Sequence, residues 1–126
     1  MKRNIVYASM LCVFCTAVHA NEPVEALILY STEKGQGAIW AEKQSAYFKE
    51  FDAVLINAGK KSVDLSKVCY KLYDASGNSY KLDTVDGKIT AGSLDPGESV
   101  EGFYQFTSAS EDVYKANLVK VLGDCK

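Results

Sequence analysis

Apolar and polar residues alternate along most of the chain with a period of two, which is typical of half-buried β-strands. The clearest run is residues 100–107, where one set of positions is Val100, Gly102, Tyr104 and Phe106 and the other is Glu101, Phe103, Gln105 and Thr107. The two sets are predicted to face opposite ways. Gly102 in mid-strand predicts a bulge or a close approach by another backbone.

Further strands are predicted on both sides of this run. Residues 24–31 are β-compatible and apolar enough to be covered on both faces, and residues 33–44 are interpreted as a loop or a short edge strand. Residues 45–61 read as a half-buried strand that ends in the polar turn at Asn57 and Gly59. The remaining strands are predicted in residues 68–73, where Val68, Tyr70 and Leu72 share one face, in a return strand beginning at Tyr80, and in residues 117–125.

Turn residues separate these segments. "DASGN" at 74–78 has the composition of a hairpin loop, and "VDGK" at 85–88 is a second turn signal. Pro96 and Gly97 fit the central positions of a type II turn over residues 95–98. Residues 108–116 fit one helical turn capped by Ser108.

Short strands, regularly spaced turns and the lack of a long amphipathic helix favour an all-β fold. We expect a single domain over residues 21–126, built as an antiparallel immunoglobulin-like β-sandwich of about seven strands. No internal repeat or low-complexity tract divides it.

Three segments carry a resemblance to a known class of proteins: "FDAVLINAGKKSVDLS", "CYKLYDASGNSYKL" and "LDPGESVEGFYQF". Taken in this order, over residues 45–125, they resemble small exported bacterial domains with an immunoglobulin-like sandwich, most of them of unknown function. The resemblance implies the fold but no catalytic residue, cofactor or partner. The chain departs from the antibody pattern, because Trp40 precedes both Cys69 and Cys125 and Gly123 replaces the corner tyrosine.

The amino terminus predicts export. Lys2 and Arg3 precede an apolar run, and small residues lead to Ala20, so residues 1–20 are predicted to be a signal peptide. The run is too short to span a membrane as a helix. We therefore expect a periplasmic or secreted protein without an integral membrane segment; lipid modification at Cys15 is a weaker alternative.

Cleavage there would remove the one histidine, the one arginine and both methionines. The full chain has a net charge of −2, and loss of Lys2 and Arg3 makes it more acidic. Such a composition argues against nucleic-acid binding and excludes histidine-based catalysis or metal ligation in the mature chain. In an oxidising compartment the two remaining cysteines, Cys69 and Cys125, are expected to form a disulfide, with free thiols as the alternative.

Some polar groups have a possible chemical role beside a structural one. Glu50 and Asp52 share a strand face, so they are one of several carboxylate pairs that a glycosidase would need to bring together in a cleft. "DTVDGK" at 83–88 has a faint likeness to a calcium loop but lacks its ligand spacing, so a turn is favoured. Lys60 and Lys61 are interpreted as solvated residues that discourage strand pairing, or as a contact for an acidic partner.

Aromatic residues provide the remaining candidate site. Tyr47, Tyr73 and Phe103 alternate with inward positions and are predicted to form a possible binding surface. The favoured function is a non-enzymatic binding or interaction module of the bacterial envelope, with no cofactor, no metal and an unknown protein or envelope component as partner. The alternatives are a small hydrolase or carbohydrate-active protein that uses acidic residues, and a structural subunit that exchanges strands.

Overall fold

The structure is a computed structural model that describes residues 24–41, 44–123 and 125. The predicted signal peptide, residues 1–20, lies outside the described residues. The strands are β1 (Leu27–Ala41), β2 (Gln44–Asn57), β3 (Val63–Asp64), β4 (Cys69–Tyr73), β5 (Ser79–Val85), β6 (Ser93–Leu94), β7 (Ser99–Ser108) and β8 (Leu118–Leu122). Short 3-10 helices cover Val24–Ala26, Leu65–Lys67, Gly87–Ile89 and Glu111–Lys115. Among the described residues, no helix has the length and apolar character that crossing a membrane requires.

Six of the strands form one antiparallel sheet in the order β1-β2-β7-β5-β4-β8, and β3 pairs with β6 in a separate two-stranded ladder. The sheet curls into a half-barrel, because its two edge strands, β1 and β8, contact each other without forming a ladder. The predicted all-β, antiparallel character is therefore confirmed.

One face of this sheet, called the inner face here, carries the core. On β7 the buried residues are Tyr104 and Phe106, as the alternation predicts, and on β2 they include Phe51 and Leu55. The Tyr104 ring lies 5.2 Å from Tyr70 and 5.3 Å from Phe106, measured between centroids. Because aromatic rings bury large apolar areas, this cluster is a main source of the sheet's stability.

The first strand differs from its prediction. Residues 33–41 continue the strand that begins at Leu27, so β1 is a 15-residue edge strand with a register shift between Glu33 and Gly35. The expectation that its first half is covered on both faces is wrong, since Tyr30 is 59% exposed and Ile28 is also exposed. Their side chains lie on the outer face of the sheet, where no second layer covers them in the described structure.

Asn57 links three segments of the chain at the end of β2. Its side chain is fully buried, and Nδ2 donates to the carbonyl oxygens of Lys61 and Leu94 at 2.8 and 2.9 Å. Its Oδ1 accepts a 2.9 Å hydrogen bond from the backbone N–H of Gly59. The predicted turn over residues 95–98 packs against Asn57, because Gly97 donates its backbone N–H to the Asn57 carbonyl.

Lys49 is a buried cation on the inner face, only 1% exposed. Its Nζ donates to the carbonyl oxygens of Tyr114 and Ala116, both at 2.8 Å, and to Oδ1 of Asn117 at 2.7 Å. It also forms an ion pair at 3.2 Å with Glu33 of β1. Lys49 therefore satisfies carbonyl groups at the end of the Glu111–Lys115 helix that would otherwise lack partners.

The Glu111–Lys115 helix begins two residues later than predicted. Its N-cap is Ser110, whose side chain accepts from the N–H of Asp112, whereas Ser108 ends β7 and accepts from the N–H of Ser110. Ser108 and Ser110, two residues apart, both fit the capping rule, and the extent of β7 decides between them.

Gly102 has a close neighbour, but the closest atoms belong to side chains and not to another backbone as predicted. A methyl group at this position would lie 2.8 Å from Cγ2 of Ile89 and 3.2 Å from Cβ of Asp86. The Gly87–Ile89 helix therefore packs directly on the β7 backbone, and Asp86 donates its N–H to the carbonyl of Phe103.

We expect Gly102→Ala to lower the free energy of unfolding by about 1–3 kcal/mol, because the added methyl displaces the fully buried Ile89. Gly35→Ala is the matched control, since nothing lies within 4 Å of the position its methyl would occupy. Urea denaturation of both variants measures the difference, and equal stabilities would contradict the packing described.

Cys69 and Cys125 form a disulfide, with their Cα atoms 5.6 Å apart, in agreement with the predicted pairing. Cys69 begins β4, and Cys125 follows β8, the neighbour of β4 in the sheet. The bond lies at the surface and closes the end of the β4–β8 ladder; it does not cross the core.

Candidate binding surfaces

The three aromatic residues predicted to form a binding surface do not come together. Tyr47 lies on the inner side of β2, where its ring packs edge-on against Tyr114 at 5.8 Å. Tyr73 and Phe103 are half-buried on the outer face, on β4 and β7, with β5 between these strands. Instead, Nζ of Lys120 lies over the Tyr73 ring, 5.1 Å from the ring centroid.

An aromatic row that the sequence analysis missed lies at the end of the β1–β2 hairpin. It runs from Trp40 to Tyr47, whose ring centroids are 6.5 Å apart, and on to Tyr114. Trp40 is 75% exposed, although tryptophan is usually among the more buried residues. In the sequence Trp40 follows two glycines, and its spacing from later aromatic residues fits a helix as well as a strand. The sequence therefore does not indicate that Trp40 is exposed.

Other exposed apolar residues lie on the outer face of β1, the face opposite to that of Trp40. Ile28 lies opposite Ile56 of β2, and Tyr30 lies opposite Val54. Ile39 is exposed near the other end of the strand. We call Ile28, Tyr30, Ile39 and Trp40 together the edge patch, because all four belong to a strand with one hydrogen-bonded neighbour in the described sheet.

A depression of about 340 Å³ lies beside the disulfide, between β4 and β5. Lys71, Lys81, Leu82 and Leu122 line it together with both cysteines and two tyrosines. A second, shallower depression lies between the start of β2 and the end of β7, and its lining includes Ser45, Lys81 and Thr107. No carboxylate lines either of these two depressions.

The carboxylates considered for hydrolysis make other contacts. Glu50 and Asp52 do converge, but on Nζ of Lys34, at 3.7 and 3.8 Å on the outer face. In the predicted turn at 85–88, Asp86 caps the Gly87–Ile89 helix by accepting from the N–H of Lys88. Within the described ranges, no group of three or more histidine, cysteine or acidic residues has a metal-binding arrangement.

Shifted pKa values occur at groups with a structural partner. Burial raises the pKa of Tyr104 to about 12, and burial also raises the pKa of Tyr70, whose hydroxyl donates to the Ile89 carbonyl at 2.7 Å. The hydrogen bond to Asp74 raises the pKa of Tyr80 to about 12, and the same bond holds the pKa of Asp74 below its usual value. These phenols are neutral at physiological pH, so the tyrosines beside the depression act only as hydrogen-bonding or apolar groups.

Comparison with known proteins identifies a family. No protein of curated function matches the chain. A solved structure described as an ApaG protein from Pseudomonas aeruginosa PAO1 is similar, with 34% sequence identity and a TM-score of 0.74 over 79% of this chain and 97% of that one. The profile of a domain of unknown function, DUF4354, matches residues 1–123. The chain therefore belongs to the DUF4354 family.

Proposed function

We propose that this protein is an exported, non-enzymatic binding module of the bacterial envelope, and that it contacts a protein partner through the β1 edge. The Cys69–Cys125 disulfide supports export, because disulfides persist in oxidising compartments. As part of the same proposal, residues 1–20 are a signal peptide. The curled antiparallel sheet is likewise proposed to be of the immunoglobulin-like class.

The exposure of Trp40 carries the choice of surface. Tryptophan and tyrosine are enriched at protein interfaces, where a large rigid side chain buries much area with little loss of conformational entropy. Trp40 and Tyr30 are the two most exposed large apolar residues of the described chain, and both belong to β1.

The backbone of β1 suggests how a partner would bind. An edge strand presents unpaired N–H and C=O groups, and an extended partner segment can add to it as a further strand. β1 is long for an edge, at 15 residues, and the register shift between Glu33 and Gly35 divides it into two shorter runs. Each run ends in part of the edge patch, so side chains from the partner would meet Tyr30 and Ile39 on the outer face and Trp40 on the inner face.

The alternative functions have weaker support. A hydrolase that uses two carboxylates needs them across a cleft, whereas Glu50 and Asp52 share Lys34 on an open sheet face. A strand-exchanging subunit would use the same β1 edge. Self-assembly of the purified protein would distinguish this function from binding of a different partner.

Affinity capture tests the proposal. The chain, purified with its disulfide formed, is immobilised and exposed to an envelope extract, beside the variants Trp40→Ser and Tyr30→Ser. We expect each substitution to reduce the retained partner roughly tenfold or more, as for interface hot spots.

The matched control is Leu118→Ser, which removes a 52% exposed apolar side chain from β8, the strand at the other end of the sheet order. Retention by this variant should equal that of the parent chain. If all three variants retain the partner equally, or if the parent chain retains none, the β1 edge is not the contact surface.

A further inference from the structure

Three lysines form a row across three neighbouring strands on the outer face. Lys71 of β4 lies directly opposite Lys120 of β8 in the register. On its other side β4 pairs with β5 through Leu72–Tyr80 and Tyr73–Ser79. If the β4–β5 ladder continued in the same register, its next pair would be Lys71 with Lys81. The ladder ends at Leu72–Tyr80, so these two lysines do not form a ladder pair.

Lys120 has a structural partner in the Tyr73 ring, but the described contacts give no such reason for placing Lys71 beside it. Like charges placed directly opposite each other destabilise a sheet. All three side chains are exposed, and none of them forms an ion pair with a carboxylate of the described residues, in a chain whose net charge is −2. The nearest acid along β5, Asp83, is hydrogen-bonded to Thr84 and Gln105.

A gap opens where the ladder ends. The depression of about 340 Å³ lies there, within the size range of ligand sites, which is roughly 300–1,000 Å³. Lys71 and Lys81 lie on its two sides, and Leu82 and Leu122 supply apolar surface. The site therefore combines two positive charges, apolar contacts and strand backbones that do not pair with each other.

We propose that this gap binds an acidic segment of a partner protein in extended conformation. In a segment that lies in the gap parallel to β4 and β5, one acidic side chain on the outer face would be level with both Lys71 and Lys81, and alternate side chains of the segment share that face. Because β4 and β5 do not pair with each other at the gap, an extended peptide is favoured over a compact anion, since main-chain hydrogen bonds contribute to strand addition. This site is separate from the β1 edge and does not rest on the function proposed for it.

The experiment uses an end-blocked heptapeptide of alternating valine and glutamate, titrated into the oxidised chain and followed by backbone amide NMR shifts. We expect the largest shifts at Tyr70, Lys71, Lys81 and Leu82. Lys71→Glu should weaken binding roughly tenfold or more, since it removes one attraction and adds a repulsion. Lys60→Glu is the matched control, with the same charge change at the predicted basic turn, and should leave the affinity within about twofold of the parent chain.

A second readout separates this result from damage to the fold. Lys71→Glu creates an opposite-charge pair with Lys120, so its thermal midpoint should rise by about 2 °C while its affinity falls. An unchanged affinity in Lys71→Glu, an equal loss in Lys60→Glu, or shifts elsewhere on the chain would each overturn the proposal. So would inorganic polyphosphate or a valine–lysine peptide that binds at the gap as tightly as the valine–glutamate peptide.

Discussion

Replacement of Asn57 by leucine should lower the free energy of unfolding by about 3–4 kcal/mol. The two side chains are similar in volume, but leucine leaves the carbonyls of Lys61 and Leu94 and the N–H of Gly59 without their hydrogen bonds. Each buried polar group that loses its partner costs about 1–3 kcal/mol, and part of this is recovered by hydrophobic burial. Denaturation in urea, with the slope compared between variants, measures the change.

Asn78→Leu is the control for this experiment. Asn78 is exposed in the β4–β5 hairpin, and its Nδ2 bonds only to the carboxylate of Asp74. We expect a loss below about 1 kcal/mol there. Comparable losses at the two positions would show that the Asn57 side chain does not stabilise the link between β2, the segment from Gly59 to Lys61, and β6.

Replacement of Lys49 by methionine should cost about 3 kcal/mol, because the ammonium group bonds three acceptors around the Glu111–Lys115 helix. Methionine fills the space of the stem but donates no hydrogen bond. The helix should open first, so amide hydrogen exchange at Val113 and Ala116 should accelerate more than exchange in β7.

Lys34→Met removes the same charge from the neighbouring strand and serves as the comparison. Lys34 is 54% exposed, and its ion pairs with Glu50 and Asp52 are longer than 3.5 Å, so a change below about 1 kcal/mol is expected. If the two variants are equally stable, the buried position of Lys49 is not what stabilises the helix.

The sequence predicts the strands well where one side of the sheet is buried. The alternation in residues 100–107 places Tyr104 and Phe106 in the core, and Pro96–Gly97 forms the expected turn, with Gly97 at a φ of 84°. These features depend on a few neighbouring residues. A period of two and a positive φ leave local signals.

The buried polar residues show what local signals miss. Lys49 occupies an inward position between Tyr47 and Phe51, and its three hydrogen-bond partners lie more than 60 residues away along the chain. Similarly, Asn57 in sequence reads only as part of a polar turn, although Leu94 is one of its partners. Only the tertiary arrangement of carbonyl groups makes these polar side chains favourable in the core.

The candidate site was the least predictable part for a related reason. Alternation indicates that Tyr47 and Phe103 each lie on one face of a strand, but it does not relate the faces of different strands. The β2–β7 register puts Phe103 opposite Asp52 on the outer face, whereas Tyr47 falls on the inner one. The lysine row likewise depends on the strand order β5-β4-β8. No local pattern in the sequence indicates that order.

The disulfide also determines how the chain would respond to mechanical force. Its two cysteines are 56 residues apart, so a pull applied between residues 24 and 125 passes through the bond and bypasses the segment it encloses. Unfolding under load would then extend residues 24–69 to about 160 Å, against about 360 Å for the reduced chain. Strands β4 to β8 carry little of this tension, while β1 and β2, which include the edge patch, are the strands that force would separate.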